Sequence, residues 1–176
     1  MTVDTRLMTA DELLQMPEDG YRYELVQGEL RKMSPAKRKH GRIAGRIHVR
    51  LGAWVLERSL GDVYSSDTGF LLSRDPDTVR CPDVSFVRTE RLEEADDFPS
   101  APDLAIEVIS PTDRYSDVAE KKDEYLRAGV QAVVIVDPRR KTVTIHRATG
   151  TTEVESVLTV DDVVPGWQLP LSDIFA

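Results

Sequence analysis

Two short apolar runs, Leu104-Ala-Ile-Glu-Val-Ile109 and Ala132-Val-Val-Ile-Val136, constrain this chain more than any other feature. Each has the length of a strand and, Glu107 apart, is apolar on both faces, the pattern of a strand covered from both sides. Between them, from about Ser116 to Ala128, Val118, Tyr125 and Leu126 recur at helical spacing, and Gly129 stands where a left-handed terminator belongs. Strand, helix and strand in that order predict an α/β chain with a mixed sheet flanked by helices.

The remaining pattern fills in around this unit. Thr9 and Glu12 form a capping box that opens a short helix ended by Pro17. Residues Tyr21–Val26 and Glu29–Met33 predict a hairpin turning at Gln27-Gly28. From Lys37 to Arg58, Ile43, Ile47, Leu51, Trp54 and Val55 predict the longest helix, with Gly61 as its stop. Strands are expected at Thr68–Ser73 and Pro82–Val87, with the turn residues Asp75-Pro-Asp77 between them, and again at Lys141–His146 and Thr152–Leu158. No apolar run approaches the roughly 20 residues of a membrane span. Met1–Thr9 lacks the apolar stretch of a secretory leader, so the expected location is cytoplasmic. The lone Cys81 agrees with a reducing compartment and excludes thiolate metal clusters, leaving oxygen or histidine ligands for any metal.

A net charge of −8 argues against coating nucleic acid by bulk electrostatics. The basic residues are unevenly placed, however: positions 31–50 hold eight of the 23 and no acid. This strip is either a solvated helix face or a site for a phosphate backbone, and Arg42 and Arg46, four apart on one helix face, are its candidates for nucleic-acid contact.

Glu107 is the most informative single residue, because a carboxylate inside an apolar strand costs several kcal/mol unless a cation or donors compensate it. Alternation puts Asp103, Ala105, Glu107 and Ile109 on one face. Asp83, in Cys81-Pro-Asp-Val-Ser-Phe-Val87, is a second acid on a separate strand. Two such carboxylates suit Mg²⁺ or Mn²⁺, which bind through one or two acids plus water and substrate phosphate. Lys121 and Lys122 flank the centre of the inward helix stripe, with Glu120, Asp123, Glu124 and Arg127 on the opposite side. Taken singly, each feature has a structural alternative: a paired core glutamate, a turn aspartate, snorkelling lysines.

The ordered set Tyr23-Glu-Leu-Val-Gln-Gly-Glu29, His40, Cys81-Pro-Asp-Val84, Asp103-Leu-Ala-Ile-Glu-Val-Ile-Ser-Pro111, Glu120-Lys121 with Tyr125, Gly129-Val130, Val136-Asp-Pro138 and Pro165-Gly-Trp-Gln-Leu169 resembles the Uma2 family of the PD-(D/E)XK nuclease superfamily. The resemblance spans nearly the whole chain. It implies one domain over residues 1–176, a restriction-endonuclease-like fold, and Mg²⁺- or Mn²⁺-dependent endonuclease activity on nucleic acid, DNA first. By it Asp83 is the motif aspartate, Glu107 the second acid and Lys121 the catalytic lysine, with the metal on Asp83 and Glu107. The usual Glu-x-Lys is broken by Ile109, so the lysine comes from the helix, where Glu-Lys before a tyrosine favours Lys121 over Lys122. Glu24 and His40 are additional candidates, an extra acid and a substrate contact, each with a structural role in competition. The alternative function is a non-catalytic nucleic-acid- or protein-binding module that keeps the fold, and assembly as a homodimer stays open.

Overall fold

The computed structural model describes residues 6–92 and 97–176; positions 1–5 of the N-terminal segment tested for a leader lie outside the described residues. Thr9 caps helix α1 (Ala10–Leu14) with both bonds of the expected box, Glu12 N to the Thr9 hydroxyl at 3.2 Å and Thr9 N to the Glu12 carboxylate at 2.9 Å. Strands β1 (Tyr23–Val26) and β2 (Glu29–Lys32) form the hairpin, with Gln27 and Gly28 both left-handed at φ 50° and 79°, as a tight hairpin turn requires. Helix α2 (Arg38–Glu57) buries Ile43, Ile47, Leu51 and Val55.

Gly61 does not end that helix. The cap is Arg58, followed by a left-handed Ser59 (φ 52°), and Gly61 instead opens an edge strand, β3 (Gly61–Ser65), that the pattern did not announce. Glycine is required there by a close approach: at φ 150° a β-carbon would run into the Val87 carbonyl oxygen. The strand β4 (Phe70–Ser73) is followed after the turn by a second unannounced strand, β5 (Thr78–Arg80), before β6 (Val84–Arg88) and β7 (Leu104–Val108). After α3 (Tyr115–Arg127) come β8 (Ala132–Asp137), β9 (Thr142–Arg147), β10 (Gly150–Glu153), β11 (Val157–Thr159), β12 (Gln168–Pro170) and α4 (Leu171–Phe175). The single strand expected over Thr152–Leu158 is therefore two, in different sheets, because the chain leaves β9 after Val154 and pairs β11 with β12.

The main sheet has six strands in the order β10-β9-β8-β7-β6-β3, with β7 and β8 parallel and the other pairs antiparallel. This is the expected mixed sheet flanked by helices. Its β7–α3–β8 crossover places Leu104, Ile106 and Val108 under α2, while Ala105, Val133 and Ile135 face Tyr125 of α3 on the other side. A separate four-stranded sheet, β2-β1-β5-β4, packs Leu25 and Val79 against α1. Among the described residues no helix is long and apolar enough to cross a membrane.

Candidate active site

Strand register does most of the positioning. Val84 pairs with Ile106 across β6 and β7, and continuing that antiparallel register by one step sets Asp83 across from Glu107 on the same face. Asp83 lies just ahead of β6, held by one oxygen: Oδ2 accepts from Val108 N at 2.8 Å and from His40 Nε2 at 3.0 Å. Glu107 Oε1 accepts from Tyr125 Oη at 2.8 Å and Lys121 Nζ at 3.1 Å, donors four apart and so on one face of α3. Leu25 pairs with Val79, so Glu24 and Arg80 lie opposite each other on β1 and β5. Glu24 Oε1 takes Lys121 Nζ at 2.9 Å and Cys81 N at 3.0 Å, while Oε2 takes Arg80 at 2.9 Å. Arg80 Nε then reaches Glu124 at 2.6 Å. Glu24, His40, Arg80, Asp83, Glu107 and Lys121 all line one cavity of about 400 Å³.

The inner cluster of this cavity holds more acids than fixed cations. The carboxylates of Glu24, Asp83 and Glu107, with Glu124 behind Arg80, bond to two fixed cations, Arg80 and Lys121, and to His40, while Arg22, Arg31, Lys32, Asp113 and Asp117 also line the cavity. Burial pushes Glu107 up to about 7, and the Asp83 and Glu24 charges add to that against the opposing pull of Lys121. Lys121 is better supplied: burial works against its ammonium, but Glu107 and Glu24 outweigh it and hold its pKa above the usual lysine range. The asymmetry arises because the lysine has two acids beside it and Glu107 shares its one cation with Glu24. The hydrogen bond to Asp83 raises His40, and burial pushes the Cys81 thiol up to about 12, too high for a nucleophile at neutral pH.

These features fit a divalent cation. None of the bonds above uses Asp83 Oδ1 or Glu107 Oε2, so each acid can offer an oxygen to a hard ion. Among the described residues no three acidic, histidine or cysteine side chains gather into a full protein cage, as is usual for Mg²⁺, which keeps waters and substrate oxygens as ligands.

The raised Glu107 pKa has a consequence for the metal-free protein. A carboxyl group whose folded pKa lies above its unfolded value near 4.5 favours the native state at low pH, and that contribution is lost as pH rises through about 7. The melting temperature of the wild type relative to Glu107→Gln is therefore expected to fall between pH 5 and pH 8, and added Mg²⁺ should cancel the fall. Parallel curves for the two proteins without metal would show that Glu107 is not charge-starved.

Other candidates are placed differently. Lys122 turns away and pairs with Asp123 at 2.8 Å. Glu124, expected on the solvent side of α3, is buried against Arg80 instead, next to the buried Tyr125, while Asp123 and Arg127 of the same turn stay exposed. Arg80 was not singled out in the sequence, although Lys121, Glu124, Tyr125 and Ala128 follow one helical stripe that would have drawn attention to Glu124. Arg42 is exposed and Arg46 donates to the Ala176 carbonyl at the end of α4, and neither lines the cavity.

A model of the Uma2 family, described as "Putative restriction endonuclease", matches residues 10–172. A crystal structure of a putative nuclease belonging to DUF820 from Anabaena variabilis ATCC 29413 is similar, with a TM-score of 0.84 at 24% identity over 96% of this chain and 97% of that one. At that identity the likeness establishes the fold alone. Among curated proteins there is no match.

Proposed function

Because the chain belongs to the Uma2 family, we propose that residues 1–176 form one nuclease domain that hydrolyses phosphodiester bonds of nucleic acid, DNA before RNA, with Mg²⁺ or Mn²⁺ held by Asp83 and Glu107. The observation that carries this reading is the charge-starved pair of acids facing each other across β6 and β7, with Glu107 pushed up to about 7. Such a pair repels until a cation joins it. When bound, that cation polarises a phosphoryl oxygen and makes a bound water more acidic.

The chain's own groups supply the rest. Lys121 is kept protonated, and Glu24 and Glu107 take two of its three N–H donors, leaving one for an oxygen on which charge develops. Glu24 positions Lys121, and Arg80 in turn fixes Glu24. Tyr125 stays a phenol, since burial and the Glu107 charge raise its pKa well above the usual value, and its hydroxyl orients Glu107. His40 anchors Asp83 by Oδ2, which leaves Oδ1 for the cation that Asp83 and Glu107 would hold.

A labelled DNA oligonucleotide should be cut in Mg²⁺ or Mn²⁺ and left intact in EDTA. Failure to cut DNA or RNA with either ion would return the chain to a binding module with a nuclease fold. The cavity volume of about 400 Å³ also falls within the roughly 300–1,000 Å³ of small-molecule sites. It supports a second reading, a small phosphodiester, for which bis(p-nitrophenyl) phosphate serves as the probe in the same assay.

A further inference from the structure

Of the basic strip at positions 31–50, Arg31 and Lys32 line this cavity, whereas its lysines and arginines from position 37 onward do not. Arg46 and Arg50 are committed to the C-terminal helix, Arg50 through Asp173 at 3.1 Å, and Lys39 Nζ donates to the Pro138 carbonyl at 2.8 Å. On the β1–β2 hairpin, by contrast, Glu24 pairs with Arg31, and Met33 N bonds to the Arg22 carbonyl. Alternation therefore gives Arg22, Glu24 and Arg31 the same face, and all three line the cavity. The register that brings Glu24 to Lys121 also delivers two guanidinium groups to the rim.

Arg31 is held loosely enough to exchange its partner, and Arg22 has donors to spare. Arg31 meets Glu120 of α3 at 3.5 Å, with the two side chains 42% and 43% exposed. Arg22 donates to the Ser66 carbonyl at 3.0 Å and stands 3.6 Å from Asp67. Contacts of this kind in water bind weakly, whereas a guanidinium fork and a phosphate make paired, charge-assisted bonds. The floor of the cavity is acidic and the whole chain carries −8, so a polyanion needs local positive charge at the entrance to approach at all.

We infer that Arg22 and Arg31 bind the backbone phosphates flanking the one presented to Asp83, Glu107 and Lys121, so that the hairpin rim and not the α2 strip holds the nucleic-acid strand. This rests on the nucleic-acid reading above. Arg31 exchanges Glu120 for phosphate as the strand enters, and Arg22 keeps its bond to Ser66 while its remaining donors meet the neighbouring phosphate. Because neither arginine reads a base edge, the rim confers affinity without sequence preference.

The test is a fluorescence-anisotropy titration of a labelled single strand and its duplex at several salt concentrations, with Ca²⁺ replacing Mg²⁺ to suppress cleavage. Each lost phosphate contact lowers the slope of log affinity against log salt by about 0.7 on a single strand or 0.9 on a duplex. Arg22→Gln/Arg31→Gln is thus expected to flatten the slope by about 1.4 to 1.8 and to weaken binding most at low salt. Arg42→Gln should bind like the wild type. The charge-retaining Arg22→Lys/Arg31→Lys should keep most of the slope, and the Mg²⁺-induced rise in melting temperature should persist in every variant, showing the floor intact. An unchanged slope in the glutamine double variant, with the wild type binding DNA tightly, overturns the rim and leaves the nuclease reading standing. A wild type that binds neither strand overturns both.

Discussion

Asp83→Asn is expected to lower metal-supported phosphodiester cleavage by about 10²–10³-fold, the usual effect of removing one pre-organised group from a site that stabilises developing charge. The substitution is nearly isosteric. Its amide oxygen can still accept from Val108 N, so the end of β7 keeps its partner at the position now bonded at 2.8 Å. What disappears is one of the two negative charges available to a cation, together with the charge that favours a protonated His40. Removing it also takes one of the charges that raise Glu107, whose pKa should drop below about 7 while burial still holds it up. The variant is therefore expected to melt no lower than the wild type without metal and to lose the stabilisation that Mg²⁺ adds by binding the native state. Cleavage rates and melting curves with and without Mg²⁺ read both effects, and an Asp83→Asn variant that cleaves like the wild type removes Asp83 from the machinery.

Arg80→Met is expected to destabilise the protein by about 3–5 kcal/mol, the cost of leaving buried charges without their partner. Glu24 and Glu124 are 2% and 7% exposed at their side chains; Arg80 pairs with both, at 2.9 and 2.6 Å, and its loss strands Glu124 while Glu24 keeps Lys121 alone. With roughly 2–4 °C per kcal/mol for a domain of this size, the melting temperature should fall by about 6–20 °C. Removing the whole set, Glu24→Gln/Arg80→Met/Glu124→Gln, should cost less than Arg80→Met alone, because no charge is then left stranded. Thermal denaturation of the single and triple variants makes the comparison. A triple variant less stable than the single one would mean that packing, not charge, is what Arg80 provides.

Uma2 membership and the shared fold come from similarity over residues 10–172 and 96% of the chain. The roles proposed for Asp83, Glu107 and Lys121 rest on the distances and charges at the cavity, and Asp83→Asn tests the first of them.

Local periodicity, a property of successive residues, was enough for the elements whose burial is one-sided or complete. The α2 stripe of Ile43, Ile47, Leu51 and Val55, the apolar runs of β7 and β8, the Thr9 box and the Gln27-Gly28 turn could be read directly, since each states its environment within a few residues. Glu107 was legible for the same reason: a carboxylate in an apolar strand demands a partner wherever the strand ends up. The short strands β3 and β5 were not, because edge and three-residue strands gain their identity from the neighbour they pair with, and Gly61 opens a strand only because the Val87 backbone lies against it. The buried run Lys121–Glu24–Arg80–Glu124 joins α3 to two strands through residues far apart in the chain, so no window of sequence contains it. Which basic residues meet the cavity was decided the same way: α2 carries the densest cluster, but helix phase and the docking of α4 turn Arg42 and Arg46 elsewhere, and hairpin register brings Arg22 and Arg31 instead. Residue type and spacing state what each side chain must satisfy; only the packing of the hairpin, sheet and α3 decides which partner satisfies it.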